Sequence, residues 1–266
     1  MDDYDAAFAI ARNNLARSAW RWWNERAARE GRVAASRQLL SGLMNFVRDS
    51  TPDRRRQRYG DVDYDWEHRV NTTSAAVGWR DRLLGIFHSP YQPTDSALFH
   101  EMLAALSRET GLDFHDFVFV DLGSGKGRTL LMASDYPFRR IVGVELLPSL
   151  HRIARENLNR YHSETRRCFA LESVWADATA FALPANPTIL YLFNPFPESG
   201  LRSVIGNLER SLRAHPRAVY LLYHNPLLEH VVDESAWLRK IGGTHQYAIF
   251  ASIAGTNDGA DHLRRF

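Results

Sequence analysis

The 266-residue sequence predicts an α/β protein with a doubly wound, mostly parallel sheet of seven strands, the last of them antiparallel. Apolar runs of strand length alternate with helical patterns over residues 89–254, which is typical of a parallel sheet covered by helices on both faces. A glycine-rich turn follows the first run, and polar side chains end several others. Since ligands of doubly wound sheets bind beyond the carboxyl ends of the strands, these observations predict a ligand site there.

The first predicted strand runs into the glycine turn. Phe117 to Val120 is apolar, Asp121 follows, and glycines occupy positions 123, 125 and 127 before a helical pattern begins. Glycine lacks a Cβ, so the backbone can turn sharply and a ligand can lie against it. The spacing differs from the G-x-G-x-x-G fingerprint of dinucleotide sites. An acid beside the turn suits a ligand that has a cationic group and no phosphate.

The next three predicted strands also end in polar residues. Ile141 to Glu145 ends in an acid about twenty residues past the glycines, the distance at which a ribose-binding acid is found in doubly wound sheets. A third strand leads into Asp177, and the fourth begins at Thr188 and ends in Asn194. We therefore expect four polar side chains to meet at one edge of the sheet.

These motifs resemble the class I, seven-strand methyltransferases that use S-adenosylmethionine, over roughly residues 89–253. The resemblance implies that Glu145 accepts hydrogen bonds from the ribose hydroxyls. It also implies that Asp177 holds the adenine amino group and that the next backbone N–H meets the ring. The cofactor-binding residues it implies are Asp121, Gly123, Ser124, Gly125, Glu145, Asp177, Ala178, Asn194 and Thr94.

The segment Asn194-Pro195-Phe196 resembles the Asn/Asp-Pro-Pro-Tyr/Phe motif of methyltransferases that act on nitrogen, with one proline where that motif has two. Proline keeps the preceding backbone extended. This would aim the Asn194 side-chain oxygen and a backbone carbonyl at one point near the methyl group, and Phe196 could stack on the acceptor. A turn that starts a helix is the structural alternative.

Two further segments supply candidates for contact with the substrate. The segment from Ser89 to Thr94, ahead of a predicted helix over 95–108, resembles the approach segment of seven-strand protein-lysine methyltransferases. Tyr91 and Thr94 are therefore candidate contacts, with core packing and helix capping as the alternatives. His224 ends the fifth predicted strand and could deprotonate an acceptor, although a histidine there is more often structural.

The rest of the sequence bears on the domain organisation and on the cellular compartment of the protein. Apolar stripes at helical spacing predict an N-terminal helical extension over residues 1–88, and residues 255–266 predict a loose tail. The extension includes a basic cluster, Arg54 to Arg58, for which a solvated surface is the usual explanation and a contact with nucleic acid or an acidic substrate the alternative. The single cysteine, Cys168, fits a reducing bacterial cytoplasm, and no apolar run has membrane-spanning length.

Other enzyme classes lack their motifs. The Tyr-x-x-x-Lys pair of short-chain reductases, the phosphate loop, the G-x-S-x-G elbow and the H-E-x-x-H zinc motif are all absent from the sequence. We expect methyl transfer from S-adenosylmethionine to a nitrogen of a protein lysine or a small amine, with no metal. A nucleic-acid base as acceptor remains open, as does a catalytically silent subunit that binds the cofactor.

Overall fold

The chain divides into two compact units in a computed structural model that describes residues 20, 23–24, 26–37, 62–72, 93–193 and 196–253. Met1–Gly60 and Thr73–Gln92 form one unit, and Asp61–Thr72 and Pro93–Phe266 form the other. In the first unit, residues 26–30 and 32–37 are helical. Most of the predicted extension and all of the predicted tail lie outside the described residues.

The second unit is built on a seven-stranded sheet, as predicted. The strand order is β3-β2-β1-β4-β5-β7-β6, and only β7 runs antiparallel to its neighbours. The strands are β1 (Val118–Leu122), β2 (Arg140–Glu145), β3 (Leu171–Trp175), β4 (Thr188–Phe193), β5 (Val219–His224), β6 (Leu238–Gly243) and β7 (Tyr247–Ser252).

Helices cover both faces of the sheet. The predicted helix over 95–108 is present, begins at an Asp95 cap whose Oδ1 accepts from Leu98 N at 2.9 Å, and ends at left-handed Gly111. The helices are α1 (Val62–His68), α2 (Ser96–Thr110), α3 (Arg128–Ala133), α4 (Pro148–Arg160), α5 (Glu198–Ala214) and α6 (Glu229–Asp233). None of the helices within the described ranges combines the length and apolarity needed to cross a bilayer.

Each face of the sheet has its own apolar core. Successive side chains of a strand point to opposite faces, so Phe119 packs with α2 on one face while Val120 packs with α5 on the other. All five residues of β1 are buried, as expected of a central parallel strand. The two cores fix the sheet between helical layers and leave its carboxyl edge as the place where loops can form a site.

The strand order reverses between β1 and β4. The chain moves outward from β1 through β2 to β3, and then returns to lay β4 on the other side of β1. The loops that follow β1 and β4 therefore diverge, which opens a crevice above the carboxyl ends of these strands. The glycine turn follows β1 at this crevice, and β4 ends there at Phe193, the last described residue before the predicted Asn194 motif.

Candidate functional site

The glycine turn is fastened to the end of β2. The backbone N–H groups of Gly123 and Ser124 both donate to the Val144 carbonyl, at 2.8 and 3.1 Å. Gly125, with φ of 56°, donates its N–H to Glu145 Oε2 at 2.7 Å. A Cβ on Gly143 would lie 2.6 Å from Ser124 Oγ, so the turn sits directly on β2. The ends of β1 and β2 thus form one rigid wall.

Two neighbouring residues of this turn, Gly123 and Ser124, differ in the groups that they offer to a ligand. Gly123 is exposed at the crevice, where a ligand can lie against its backbone. The Ser124 hydroxyl is buried beside Gly143 and has no hydrogen-bond partner among the described residues. A cofactor contact of Ser124, as predicted from the resemblance, would therefore use its backbone or require its side chain to rotate.

Asp121 is a buried carboxyl group near the end of β1. It is 2% exposed and accepts a hydrogen bond from the Thr129 hydroxyl. Burial raises the pKa of Asp121 to about 7; the Thr129 hydrogen bond opposes this rise, and the nearby charge of Glu145 adds to it. A carboxyl group in this state gains stability in its charged form when a cation arrives nearby.

Glu145 is held in a fixed orientation at the end of β2. Its Oε1 accepts from Leu147 N at 2.8 Å, and its Oε2 accepts from Gly125 N. A carboxylate oxygen can accept more than one hydrogen bond. The two backbone donors set the direction of the carboxylate before any ligand binds.

Asp177 and Ala178 follow β3 at the same edge. Asp177 Oδ1 accepts from the backbone N and the hydroxyl of Thr179, at 2.9 and 2.7 Å, which forms a tight side-chain turn. Within the described ranges, neither Asp177 Oδ2 nor the Ala178 N–H has a hydrogen-bond partner. This places an acceptor next to a donor, the pair of groups that the amino-substituted edge of an adenine ring needs.

Two basic residues, Lys126 in the glycine turn and Arg128 at the start of α3, both point into the protein. Lys126 is fully buried, and its Nζ donates to Asn71 Oδ1 at 3.0 Å. Burial lowers the pKa of Lys126 to about 8, against the opposing effect of Asp65. Asn157 holds Asn71 in place through two hydrogen bonds to its backbone.

Arg128 is bound on several sides. Its Nε donates to the Thr94 carbonyl at 2.9 Å, and its Nη1 donates to Thr72 Oγ1 at 3.1 Å. The guanidinium also lies over the Tyr64 ring, 4.1 Å from its centroid. Residues 62–72 and 94 therefore engage both cations, whereas the carboxyl groups of Asp121 and Glu145 lie largely buried beside the turn. This charge arrangement disfavours a phosphate ligand.

The part of the site that the sequence predicts to contact the acceptor is only partly described. Asn194 and Tyr91, two of the three predicted catalytic residues, lie outside the described residues. Phe196 is half-buried and packs beside Gly200 at the start of α5, where a Cβ on the glycine would lie 3.2 Å from Phe196 Cβ. Its predicted stacking on the acceptor stays a prediction.

The ends of β4 and β5 carry polar and aromatic residues that sequence reasoning missed or undervalued. Thr94 Oγ1 lies 3.1 Å from Tyr191 Oη, and Tyr191 Oη lies 2.8 Å from His224 Nδ1. The Phe193 ring stacks on the His224 ring, with centroids 3.7 Å apart. Tyr191 and Phe193 belong to the apolar run of β4. Because they are two residues apart, they lie on one face of the sheet, and this spacing is the sequence feature that could have placed both near His224.

Comparisons with known proteins found only distant structural similarity. No family model matches the chain, and no curated protein matches it. An RNA methyltransferase of Salinibacter ruber, solved with S-adenosyl-L-homocysteine, is 21% identical, covering 62% of this chain and 94% of that one, with a TM-score of 0.41. A precorrin-6y C5,15-methyltransferase of Geobacter metallireducens is 18% identical. The match covers 60% of this chain and 89% of that one, with a TM-score of 0.43. A precorrin 8w decarboxylase of Methanobacterium thermoautotrophicum is 15% identical. The match covers 61% of this chain and 92% of that one, with a TM-score of 0.41.

Proposed function

We propose that this chain is an S-adenosylmethionine-dependent methyltransferase that acts on nitrogen. One observation carries the proposal: three carboxylates stand at successive strand ends around a glycine turn whose own cations are bound elsewhere. Asp121, Glu145 and Asp177 supply the negative charge of the crevice, while Lys126 and Arg128 are engaged by the protein. A site of this charge selects a ligand with positive groups and hydroxyls over a phosphorylated one.

The residues present fit the cofactor group by group. The carboxyl of Asp121 and the glycine backbone suit the methionine end, which carries an ammonium group beside the sulfonium. The fixed carboxylate of Glu145 suits the two ribose hydroxyls. Asp177 Oδ2 and the Ala178 N–H suit the adenine amino group and a ring nitrogen, respectively. Dinucleotides and ATP would bring phosphates close to carboxylates.

In the proposed reaction, the main contribution of the protein is to position the acceptor relative to the methyl group. When bound, S-adenosylmethionine supplies an electrophilic methyl group on a sulfonium. The chain then has to hold an acceptor nitrogen in line with that methyl and to exclude water, and alignment of this kind accounts for much of the rate of such displacements. In the proposed mechanism, the Asn194 side-chain oxygen and a neighbouring carbonyl accept from the acceptor N–H groups. These oxygens also stabilise the positive charge that develops on nitrogen.

A protein lysine or a small amine is the proposed acceptor. The segment ending in Pro93-Thr94 supports this choice, since it resembles the approach segment of lysine enzymes and Thr94 contacts β4 through Tyr191. A nucleic-acid base is the second candidate, favoured by the Asn194-Pro195-Phe196 motif. The two candidates differ in where a transferred methyl group would appear.

The experiment is incubation with methyl-labelled S-adenosylmethionine and a bacterial lysate that is then separated into protein, RNA, DNA and small molecules. We expect label in the protein or small-molecule fraction; label in RNA or DNA would favour the second candidate. Asp177→Ala should abolish most of the labelling, and Asp233→Ala, at the exposed last residue of α6, serves as the matched control. Cofactor binding by calorimetry with no label in any fraction would instead indicate a silent cofactor-binding subunit.

A further inference from the structure

A buried hydrogen-bond chain crosses the acceptor side of the crevice. It joins Thr94, which precedes α2, to Tyr191 of β4 and then to His224 at the end of β5. The three residues are 5%, 1% and 6% exposed. Polar side chains are costly to bury unless they are paired, so this chain holds its members in one arrangement.

Two contacts fix the imidazole of His224. The Tyr191 hydroxyl holds the ring by its Nδ1 edge, and Phe193 covers one ring face with an interplanar angle of 7°. Phe193 and His224 are register partners on the parallel strands β4 and β5. His224 therefore lies one strand away from Phe193, at the neighbour spacing of about 4.8 Å, and Asn194 of the predicted acceptor motif is the next residue in the sequence.

The imidazole of His224 is neutral, and the described part of the protein provides a hydrogen-bond partner for one of its two ring nitrogens. Burial lowers the pKa of His224 to about 4, against the opposing effect of the Asp95 charge. Burial also raises the pKa of Tyr191 well above its usual range, so the phenol keeps its proton. A neutral imidazole has one donor nitrogen and one acceptor nitrogen. Nδ1 is paired with Tyr191, whereas Nε2 has no hydrogen-bond partner among the described residues.

We propose that His224 is a catalytic residue whose Nε2 accepts a hydrogen bond from the nitrogen that receives the methyl group. The inference rests on the proposed function and adds to it a contact on the acceptor. Nδ1–H donates to Tyr191 Oη, and the Tyr191 hydroxyl donates to Thr94 Oγ1. Tyr191 and Thr94 are then positioning residues that fix the tautomer of His224. As the acceptor nitrogen forms its bond to carbon, the carbon–sulfur bond breaks, its electron pair stays on sulfur, and the surplus proton passes to water.

Sinefungin tests the contact without a known acceptor. This cofactor analogue carries an ammonium group on carbon where the methylated sulfur would be, so it places N–H donors at the point of methyl transfer. Calorimetry would measure sinefungin and S-adenosylhomocysteine affinity for the wild type, His224→Phe and, as a control on an exposed histidine, His245→Phe. We expect His224→Phe to keep its affinity for S-adenosylhomocysteine and to lose about tenfold or more in sinefungin affinity, as for one hydrogen bond to a charged group.

The possible outcomes separate the two proposals. An unchanged ratio of the two affinities in His224→Phe overturns the inference. Loss of S-adenosylhomocysteine affinity in that variant also overturns it, because His224 would then serve the cofactor side. If the wild type binds neither ligand, the proposed function is wrong and this inference falls with it.

Nitrogen-15 spectra of the histidine side chains provide a second test, on the unaltered protein. In the S-adenosylhomocysteine complex we expect the His224 proton on Nδ1 and a bare Nε2, and the Nε2 resonance should move when sinefungin replaces S-adenosylhomocysteine. Tyr191→Phe should populate the other tautomer, because Nδ1–H then loses its acceptor. A proton on Nε2 in the wild-type complex contradicts the proposal.

Discussion

Replacing Asp121 by asparagine should stabilise the protein without a cofactor and weaken its binding of the cofactor. The wild-type carboxyl group is buried, and its pKa rises from 3.8 to about 7. A folded-state pKa above the unfolded value means that the group favours folding most at pH below about 4, and this contribution is lost as pH rises through about 7. Asparagine can still accept the Thr129 hydrogen bond and has no charge to bury.

The size of the effect follows from the two pKa values. At about 1.4 kcal/mol for each pH unit, burying the charged carboxylate costs up to about 4 kcal/mol above pH 7. Asp121→Asn should therefore match the wild type near pH 4. The gain in unfolding free energy should grow between pH 4 and 7 and then level off.

Urea unfolding at several pH values between 4 and 9 measures this difference directly. Asp233→Asn, at an exposed acid, controls for the general loss of one negative charge. The reasoning is refuted if Asp121→Asn is no more stable than the wild type at pH 8.5, or if the difference between the two proteins does not change with pH. A parallel titration should show weaker S-adenosylmethionine binding by Asp121→Asn, because the carboxylate that attracts the cation is gone.

Three further predictions concern the same site. Glu145→Ala and Asp177→Ala should each weaken cofactor binding about tenfold to a hundredfold by calorimetry, the cost of a hydrogen bond to a charged group; normal binding by both variants would make them ordinary strand-end acids. Asn194→Ala should keep cofactor affinity and lose about a hundredfold in turnover once the acceptor is known. Asn194→Asp should keep partial activity. If Asn194→Ala instead loses both cofactor affinity and turnover, this residue contacts the cofactor or has a structural role. Gly143→Ala should lower the unfolding free energy by about 1–3 kcal/mol through overpacking against the turn, whereas Gly206→Ala, with space in a helix, should be neutral or stabilising.

The sheet was predictable from the sequence because its signals are local. Apolar runs such as Ile141 to Glu145 and the helical pattern over 95–108 match the observed β2 and α2 within a few residues. The antiparallel final strand also agrees with the prediction, since β7 pairs antiparallel with β5, although all six of its residues are buried. The placement of Asp121, Glu145 and Asp177 at or near strand ends then followed from strand length and direction alone.

The surroundings of the site were less predictable because they depend on contacts that are distant in sequence. No sequence pattern indicates that Lys126 is buried, yet its Nζ is bonded to Asn71, 55 positions earlier in the chain. Tyr191 looked like a core residue of β4, yet its hydroxyl links Thr94 to His224. A hydrophobic pattern gives the face on which a side chain lies, and it cannot say which polar group from another element will meet it there.

Thr94 links the two halves of the candidate site. Its backbone carbonyl accepts from Arg128, which belongs to the helix that follows the glycine turn. Its hydroxyl contacts Tyr191, which in turn holds His224 at the proposed acceptor contact. A shift of the chain just before α2 would thus strain the cofactor side through one bond and the acceptor side through the other. In the proposed function, Thr94 is thus bonded both to the side of the site assigned to the cofactor and to the side assigned to the acceptor.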